Sequence, residues 1–548
     1  MTRTPADAAR RSLSSSFSSS FPASHLLADR TSPVSNLFDL LVRSYATKGR
    51  GRARSPLVLT TETGQAYSLH DLVAGSARIA HFFTGLGLPI GSRIAVQVEK
   101  SPEAVMVYLA CLRAGMVFLP LNTAYRAGEL GYFFHDAAPG LVVCSPENHD
   151  WVEPLAQAAG CHHVETLGSA INGSLLHKAT GYSDDFPTCN LGANALAAIL
   201  YTSGTTGRSK GAMLTHGNLA SNALVLHKAW HWQSSDLLLH ALPIFHVHGL
   251  FVALHGALLA GAQMIWLSRF DLDAVFRALP KASVMMGVPT FYVRLLEDSR
   301  LSRALVKGMR LFVSGSAPLL AETHAAFRAR TGHTILERYG MSETVMLTSN
   351  PYQGPRKAGT VGRPLPDVGL RLVAEDGAIV RPEAGADSAV GGVQVRGPNV
   401  FVGYWNMPEK TREEFTEDGW FKTGDMGRYD KDGYLVLVGR SKDLIISGGY
   451  NVYPKEIELL LDDLPGVEES AVVGLPHPDF GEAVAAVVVA KKGEVVQESS
   501  LIQQARPLIA SYKLPKRIFV VDALPRNLMG KVQKNLLREQ YAKTFVAP

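Results

Sequence analysis

The stretch from Tyr201 to Leu214, YTSGTTGRSKGAML, constrains the fold of this chain more than any other segment. Its glycines allow backbone dihedrals and close contacts that larger residues avoid. Backbone amides and hydroxyl groups in such loops bind phosphate oxygens. The segment therefore predicts a loop that binds the phosphates of a nucleotide, and its candidate residues are Thr202, Ser203, Gly204, Thr205, Thr206, Gly207 and Lys210.

The flanking sequence places this loop between a strand and a helix. Ala195–Leu200 (ALAAIL) is an apolar run of strand length, and apolar residues recur at helical spacing after Gly217. The loop is not the P-loop GxxxxGK[ST], because Lys210 lies between Ser209 and Gly211 instead of directly after a glycine. The spacing argues against a P-loop kinase or ATPase, and the loop alone leaves a flexible Gly/Ser/Thr linker open.

Length and composition predict a large globular protein. With 548 residues the chain exceeds what one hydrophobic core usually supports, so two or more domains are expected. The net charge of +5 without a long basic block disfavours nucleic-acid binding and suits small polyanions. No apolar run reaches the roughly 18 residues that cross a bilayer. The four cysteines form no CxxC pair, which indicates a reducing compartment and no zinc site.

Residues 1–35 differ in composition from the rest of the chain. Arg3, Arg10 and Arg11 precede SLSSSFSSSF, and acidic residues are few, as in organelle transit peptides. A disordered low-complexity tail, or an upstream start codon, explains the same composition. We therefore expect a cytoplasmic protein, with the mitochondrial matrix as the alternative.

Four further motifs follow the glycine-rich loop along the chain. They are ERYGMSET at Glu337–Thr344, TGD at Thr423–Asp425, GRSKDLIISGGYNVYPKEIE at Gly439–Glu458, and PRNLMGKVQK at Pro525–Lys534. Together with YTSGTTGRSKG they resemble the signatures of the adenylate-forming superfamily, which includes acyl-CoA synthetases, luciferases and the adenylation domains of peptide synthetases. The resemblance covers nearly everything after about residue 36 and implies an enzyme.

The sequence predicts an α/β fold. Strand-like runs at Ile94–Val98 and Gly140–Cys144 alternate with helix-like stretches such as Ala104–Ala114, which favours parallel α/β layers. The segment Val368–Val402 is rich in β-branched residues and glycine, and predicts a β-rich subdomain. The resemblance implies a small mobile α+β C-terminal domain. We expect a tail at 1–35, a large domain at 36–438, a hinge at 439–442 and a C-terminal lid domain at 443–548.

The resemblance implies that a carboxylate attacks the α-phosphate of ATP, so the site must supply positive charge and fixed hydrogen-bond donors. Lys210 and the loop around it would hold the β and γ phosphates. Glu343 would bind the Mg²⁺ that bridges the phosphates, and Ser342 would contact the α-phosphate in place of the family's threonine. A surface helix cap is the alternative role for Glu343.

The nucleoside has its own predicted residues. Asp425 and Arg440 resemble the family's ribose-binding pair, since a carboxylate accepts hydrogen bonds from hydroxyls and a guanidinium supplies a fork of donors. Tyr339 suits stacking on adenine. The opposite wall is predicted at Gly315, Ser316 and Ala317 of SGSAP.

Lys531 in PRNLMGKVQK resembles the family's catalytic lysine, whose ammonium neutralises charge between carboxylate and α-phosphate. Acylation of Lys531 would remove that charge and is expected to block adenylation. The resemblance also implies two domain orientations, related by rotation about the hinge residue Lys442. In the second orientation Ser447, Gly448, Gly449 and Tyr450 would shape a tunnel for coenzyme A, the second co-substrate.

Two arginines lie where an acyl pocket is expected, Arg294 in GVPTFYVRLL and Arg338 in ERYG. A guanidinium fork matches the second carboxylate of a short diacid. With His246 and His248 of PIFHVHGL, they resemble malonyl-CoA synthetases. The resemblance implies ligation of malonate, with methylmalonate as a further candidate, and His248 is expected beside the substrate without transferring a proton.

Other functions remain open at this point. If Arg294 only caps a helix and faces water, a ligase for short-chain or aromatic monocarboxylates is expected instead. A luciferase-like oxygenase uses the same adenylation chemistry, and a catalytically silent acyl-binding protein would share the fold. A peptide-synthetase module is disfavoured because no carrier sequence follows the motifs.

Overall fold

The computed structural model describes residues 36–49, 55–168, 172–202, 209–383, 385–447, 450–527 and 530–545. The α-helices in this part of the chain are α1 (Leu37–Gly49), α2 (Leu69–Gly85), α3 (Pro102–Ala114), α4 (Ala127–Ala137), α5 (His149–Ala158), α6 (Ser174–Ala179), α7 (His216–Ala229), α8 (His255–Ala260), α9 (Leu272–Ala278), α10 (Pro289–Glu297), α11 (Ala321–Thr331), α12 (Pro408–Glu414), α13 (Pro454–Asp462), α14 (Glu498–Ala505) and α15 (Lys534–Tyr541). Short 3₁₀ turns lie at Pro146–Asn148 and Ser441–Asp443, and a π-helix at His248–Leu254.

The strands within the same described ranges are β1 (Leu57–Thr61), β2 (Ala66–Ser68), β3 (Arg93–Gln97), β4 (Val117–Pro120), β5 (Leu141–Cys144), β6 (Val164–Thr166), β7 (Leu196–Thr202), β8 (Lys210–Thr215), β9 (Leu237–His240), β10 (Gln263–Trp266), β11 (Val284–Gly287), β12 (Leu311–Ser314), β13 (Leu336–Tyr339), β14 (Thr348–Ser349), β15 (Arg363–Pro364), β16 (Gly369–Val373), β17 (Ile379–Val380), β18 (Gly391–Arg396), β19 (Phe421–Tyr429), β20 (Leu435–Arg440), β21 (Ile445–Ser447), β22 (Tyr450–Val452), β23 (Val467–His477), β24 (Gly481–Ala490) and β25 (Arg517–Val521).

Two largely parallel sheets form the N-terminal region. One has the order β15-β14-β13-β12-β11-β9-β10-β1-β2 and the other β6-β5-β3-β4-β7-β8. Strands β3, β4 and β5 pair in parallel, as do β9 to β13. Buried apolar runs such as Leu141–Cys144 explain this arrangement, because parallel strands are covered on both faces. The predicted α/β fold is confirmed.

An antiparallel sheet of order β17-β16-β18-β19-β20 follows. The predicted β-rich segment, Val368–Val402, supplies β16, β17 and β18, while β19 and β20 complete the sheet. Asp425 and Arg440 are paired residues on β19 and β20. The sheet thereby brings two predicted nucleotide-binding residues side by side.

The C-terminal region has a hydrophobic core of its own. Strands β22, β21, β24 and β23 form a sheet on which β25 pairs in parallel with β24. Buried side chains of this core include Ile457 on α13, Val472 on β23 and Val488 on β24. Pro454 is the first residue of α13, where its missing N–H costs no hydrogen bond. The α+β character expected for this region is confirmed.

The connection between the two regions differs from the predicted hinge at 439–442. Gly439 and Arg440 belong to β20, since Arg440 pairs with Asp425 on the neighbouring strand. The chain leaves that sheet through the 3₁₀ turn Ser441–Asp443, whose central residue is Lys442. The pivot and the domain boundaries stay predictions, with the turn as their structural counterpart.

The prediction that the glycine-rich loop joins a strand to a helix is wrong. Lys210–Thr215 forms β8, which pairs antiparallel with β7, and α7 starts only at His216. The residues after the loop are almost all buried, as expected of a strand covered on both faces. Strands β7 and β8 are therefore the two arms of a hairpin. Ser203, Gly204, Thr205, Thr206 and Gly207 lie outside the described residues.

Within the described ranges, no helix has both the length and the apolar character needed to span a bilayer.

Several histidines are buried in the N-terminal region and resist protonation. The Nδ1 atom of His216 accepts a hydrogen bond from the Leu37 amide at 3.1 Å, and burial lowers the pKa of His216 to about 4. The ring of His255 stacks on Tyr108, and burial lowers the pKa of His255 to about 3. A lowered pKa means that the unfolded chain binds more protons, so the stability of the fold decreases as pH falls.

We predict that thermal stability declines between pH 6.5 and about 4, and that the His216→Asn variant shows a shallower decline. An asparagine oxygen replaces the Nδ1 acceptor and cannot be protonated in this range. The fall in the pKa of His216 from 6.5 to about 4 corresponds to about 3 kcal/mol. The measurement is the melting temperature against pH, with the exposed His177→Asn as control. An unchanged slope in His216→Asn would contradict the assignment.

Candidate active site

A cleft of about 570 Å³ lies between the N-terminal and C-terminal regions. It is lined from both sides, which brings together motifs that are far apart in sequence. Predicted site residues that line it are Thr202, Lys210, His246, His248, Ser316, Arg338, Ser342, Glu343, Arg440, Lys442 and Lys531. A cleft of this size, with several convergent charged groups, is where a small-molecule site is expected.

The phosphate end of the cleft is organised around Tyr404. Its hydroxyl donates to Glu343 Oε1 at 3.0 Å, and the Lys210 ammonium lies 4.5 Å from the centre of its ring. Thr202 Oγ1 lies 3.5 Å from the same Glu343 oxygen. The tyrosine thus connects the predicted phosphate-binding lysine to the predicted metal-binding glutamate.

Tyr404 and Glu414 were missed by the sequence analysis. Tyr404 reaches the site because it forms a bridge with Ala212 on β8, while the amide of Trp405 donates to the Gly211 carbonyl. Glu414, at the end of α12, lies 3.5 Å from the Lys210 ammonium. The signal that could have found Tyr404 is GYWNMPEK at Gly403–Lys410, an aromatic and charged segment that no predicted element explained.

Glu343 is a buried carboxylate. Burial raises its pKa, and the Tyr404 hydroxyl, Arg440 and Lys210 act in the opposite direction. In the described part of the chain, no group of three or more His, Cys, Asp or Glu side chains is arranged to hold a metal ion. A single carboxylate fits Mg²⁺, which is commonly held by one or two carboxylates together with substrate phosphates.

The predicted ribose pair is in contact. Arg440 Nε lies 2.7 Å from Asp425 Oδ1, and the Tyr339 hydroxyl donates to the Asp425 carboxylate. The Asp425 carboxylate raises the pKa of Arg440. Tyr339 is buried and does not line the cleft, so its stacking on adenine stays a prediction.

Of the predicted adenine wall, Ser316 lines the cleft, with a left-handed φ of 74°. Gly315 lies instead against Arg338, because a Cβ atom added at Gly315 would be 2.2 Å from Arg338 Cζ. The missing side chain at this position makes room for the guanidinium. Contact of Gly315 and Ala317 with adenine stays a prediction.

Arg338 is a buried cation at the cleft. Its Nε and Nη2 atoms have no hydrogen-bond partner among the described residues, and burial lowers its pKa to about 9. Burial and the Arg338 charge lower the pKa of His246 to about 4 and also lower that of His248. His248 Nδ1 lies 3.4 Å from Ser316 Oγ, and its Nε2 atom has no partner in the described structure. Unpaired donors next to neutral imidazoles leave room for an anionic group.

The structure does not bring Arg294 to the cleft. Helix α10 buries Tyr292 and Leu295, so helical periodicity turns the side chain of Arg294 outward, where it is exposed. Arg294 is not among the lining residues. Binding of a substrate carboxylate by Arg294 stays a prediction, and of the two arginines predicted for the acyl pocket Arg338 lines the cleft in this arrangement.

Lys531 enters the cleft from the C-terminal region. Its amide donates to Asn527 Oδ1 at 3.0 Å, and the Asn527 amide donates back to the Lys531 carbonyl at 3.0 Å. Gly530, with a φ of 73°, allows this tight turn. Burial and the nearby Arg440 charge lower the pKa of Lys531.

Ser447, one of the predicted tunnel residues, is away from the cleft in this arrangement. Ser447 is buried at the end of β21, where it pairs with Gly481, and it does not line the cleft. Tyr450 begins β22. Gly448 and Gly449 lie outside the described residues, so the tunnel stays a prediction.

Comparison with known proteins identifies the family. The AMP-binding enzyme family matches residues 47–405, and the AMP-binding enzyme C-terminal domain matches residues 456–531. A malonate–CoA ligase of Arabidopsis thaliana is 33% identical, covering 96% of this chain and 93% of the relative. The mitochondrial malonate–CoA ligase ACSF3 of Mus musculus is 37% identical, covering 82% of each chain.

A solved structure agrees with this assignment. The crystal structure of ATP-bound MatB from Rhodopseudomonas palustris is 51% identical to this chain, with a TM-score of 0.89. The match covers 93% of this chain and 99% of that structure. The chain therefore belongs to the AMP-binding enzyme family, the group of adenylate-forming enzymes whose five motifs meet in this cleft.

Proposed function

We propose that this enzyme is a malonate–CoA ligase. A malonate oxygen attacks the α-phosphate of ATP, which forms an acyl adenylate and releases pyrophosphate. The thiol of CoA then attacks the acyl group and displaces AMP. The observation that carries the choice of acid is the buried guanidinium of Arg338 at the cleft, whose Nε and Nη2 atoms have no hydrogen-bond partner among the described residues. Relatives at 33% and 37% identity are named malonate–CoA ligases, which supports the same acid.

Arg338 selects a diacid because of its surroundings. A buried cation without a partner is unfavourable, and a second carboxylate would supply the missing acceptors in a bidentate geometry. A monocarboxylic acid would leave the Nε and Nη2 donors unsatisfied. The lowered pKa of His248 keeps its ring neutral, so the ring offers a hydrogen bond without adding charge.

In the adenylation step, Lys531 would face the α-phosphate from the C-terminal region. Its ammonium would stabilise the negative charge that builds as the malonate oxygen attacks. Lys210 and the glycine-rich loop would hold the leaving phosphates, while Asp425 and Arg440 would hold the ribose. Glu343 would hold Mg²⁺, which supplies further neutralisation of phosphate charge when bound.

In the thioester step, the C-terminal region would rotate about Lys442 and remove Lys531 from the cleft. Ser447 to Tyr450 would then form the wall of the CoA tunnel, as the family resemblance implies. We keep the cytoplasm as the proposed compartment, with the mitochondrial matrix as the alternative that residues 1–35 raise.

We predict that Arg338→Leu lowers kcat/KM for malonate by about 100-fold and changes propionate use far less. The loss of a charge-assisted bidentate contact accounts for roughly 3 kcal/mol. The measurement is malonate- and CoA-dependent release of AMP. Arg294→Ala is the matched comparison and should have the smaller effect. A larger loss in Arg294→Ala would indicate that Arg294 on α10, and not Arg338, binds the second carboxylate of malonate.

We predict that Gly315→Ala raises the KM for malonate by about tenfold, a change of about 1.4 kcal/mol. The added Cβ would lie 2.2 Å from Arg338 Cζ and displace the guanidinium. Gly308→Ala is the control, because nothing lies within 3.5 Å of its added Cβ, the nearest atom being 3.6 Å away. Steady-state kinetics with varied malonate test this. Equal KM values in both variants would argue against Arg338 as the malonate-binding residue.

We predict that adenylation declines at alkaline pH, below the ordinary lysine pKa of 10.5. Lys531 acts in its protonated form, and its pKa is lowered, so activity is present below that pKa and lost above it. Lys531→Arg should move the decline to higher pH, while Lys531→Gln, which resembles an acylated lysine, should abolish pyrophosphate release. Initial rates of malonate-dependent pyrophosphate release measure both. Full activity in Lys531→Gln would refute the role.

A further inference from the structure

Glu414 is a carboxylate in the part of the cleft that is predicted to receive the phosphates of ATP. It is the last residue of α12, and its side chain lines the cleft. Its Oε1 atom lies 3.5 Å from the Lys210 ammonium and 3.1 Å from the Lys410 ammonium. An anionic side chain at this position would repel a triphosphate, so its presence there needs an explanation.

Glu414 supplies a negative charge to the Lys210 ammonium. The Lys210 side chain is 9% exposed and lies on the face of Tyr404. A largely buried ammonium needs a charged partner, because desolvation disfavours an isolated cation. Among the described residues, Glu414 is the carboxylate within ion-pair distance of Lys210. The pair is loose at 3.5 Å, which suits a contact that is exchanged for a ligand.

We propose that Glu414 is an exchangeable counter-ion for Lys210. Without nucleotide, Glu414 pairs with the ammonium while it lies over Tyr404. When ATP binds, the β and γ phosphates replace Glu414 as the partner of the ammonium. When pyrophosphate leaves, the ammonium pairs with Glu414 again. The proposal rests on the phosphate-binding role of Lys210 and deepens it, because Glu414 sets how tightly pyrophosphate and ATP are held.

This exchange has a measurable cost and a benefit. A phosphate must break the Glu414–Lys210 contact before it gains the lysine, which weakens binding of both ATP and pyrophosphate. The same contact favours release of pyrophosphate, since the ammonium is never left without an anion. Neutralising Glu414 should therefore tighten binding of ligands that carry β and γ phosphates and leave AMP unaffected.

The experiment compares Glu414→Gln with Glu413→Gln by titration calorimetry with pyrophosphate, Mg-ATP and AMP, in the absence of any acid. Glu413 is the matched control because it contacts the same Lys410, at 2.9 Å, but is not among the residues that line the cleft. We expect the Kd for pyrophosphate and ATP to fall by roughly threefold to tenfold in Glu414→Gln only, the range of a partly exposed ion pair. An unchanged or raised Kd, or an equal fall in Glu413→Gln, would overturn the proposal.

A double variant separates the counter-ion role from direct repulsion of phosphate by Glu414. In a Lys210→Gln background, the Glu414→Gln change should no longer alter the Kd for pyrophosphate. A fall of the same size as in the wild-type background would show that Glu414 acts on the phosphates and not through Lys210. Melting temperatures confirm folding of each variant. Because no acid is present, the result does not depend on malonate being the substrate.

Discussion

The Asp425 carboxylate connects the large parallel sheet to the antiparallel sheet. It pairs with Arg440 across β19 and β20, and it accepts a hydrogen bond from Tyr339 at the end of β13. One group therefore ties the large parallel sheet to the antiparallel sheet, and both to the strand that leads into the C-terminal region. The position of Arg440, and through it the local charge around Lys531, follows from this contact.

The cleft is built as a cationic site with few carboxylates. Lys210, Arg338, Arg440, Lys442 and Lys531 all line it. Burial lowers the pKa of Arg338, and burial together with the charges of Arg440 and Lys442 lowers the pKa of Lys531. Such an arrangement is unfavourable for the empty protein and favourable once a triphosphate and a dicarboxylate are bound. Anionic substrates would therefore bind favourably because they neutralise cations that are buried in the cleft.

Sequence motifs predicted much of the site because each motif is short and carries its chemistry locally. Glu343, Arg440 and Lys531 are fixed relative to their own turns and strands, so the motif alone indicated their roles. The position of Arg294 away from the cleft could not be predicted in this way, since the direction of a helical side chain depends on which face the helix buries. Helix α10 buries Tyr292 and Leu295, and this was not evident before the packing was known.

Tyr404 and the hairpin at β8 show the other limit of sequence analysis. Tyr404 approaches Lys210 only because its segment pairs with β8, a contact between residues nearly 200 positions apart. The strand β8 was not predicted because its glycine and alanine are compatible with the start of a helix as well as with a tightly packed strand. Long-range pairing decided the position of Tyr404, and no local pattern encodes it, whereas β8 pairs with β7, its neighbour along the chain.

The place where the chain leaves the antiparallel sheet determines what a domain movement carries with it. Arg440 is still part of β20, and the turn begins at Ser441. Any swing about that turn therefore withdraws Lys531 while Asp425, Arg440 and Tyr339 remain fixed on the large region. A reactive intermediate would keep its anchorage during the swing, and only the group that promoted its formation would depart. The residues that would bind the intermediate therefore belong to one region of the molecule, and the lysine that would promote its formation belongs to the other.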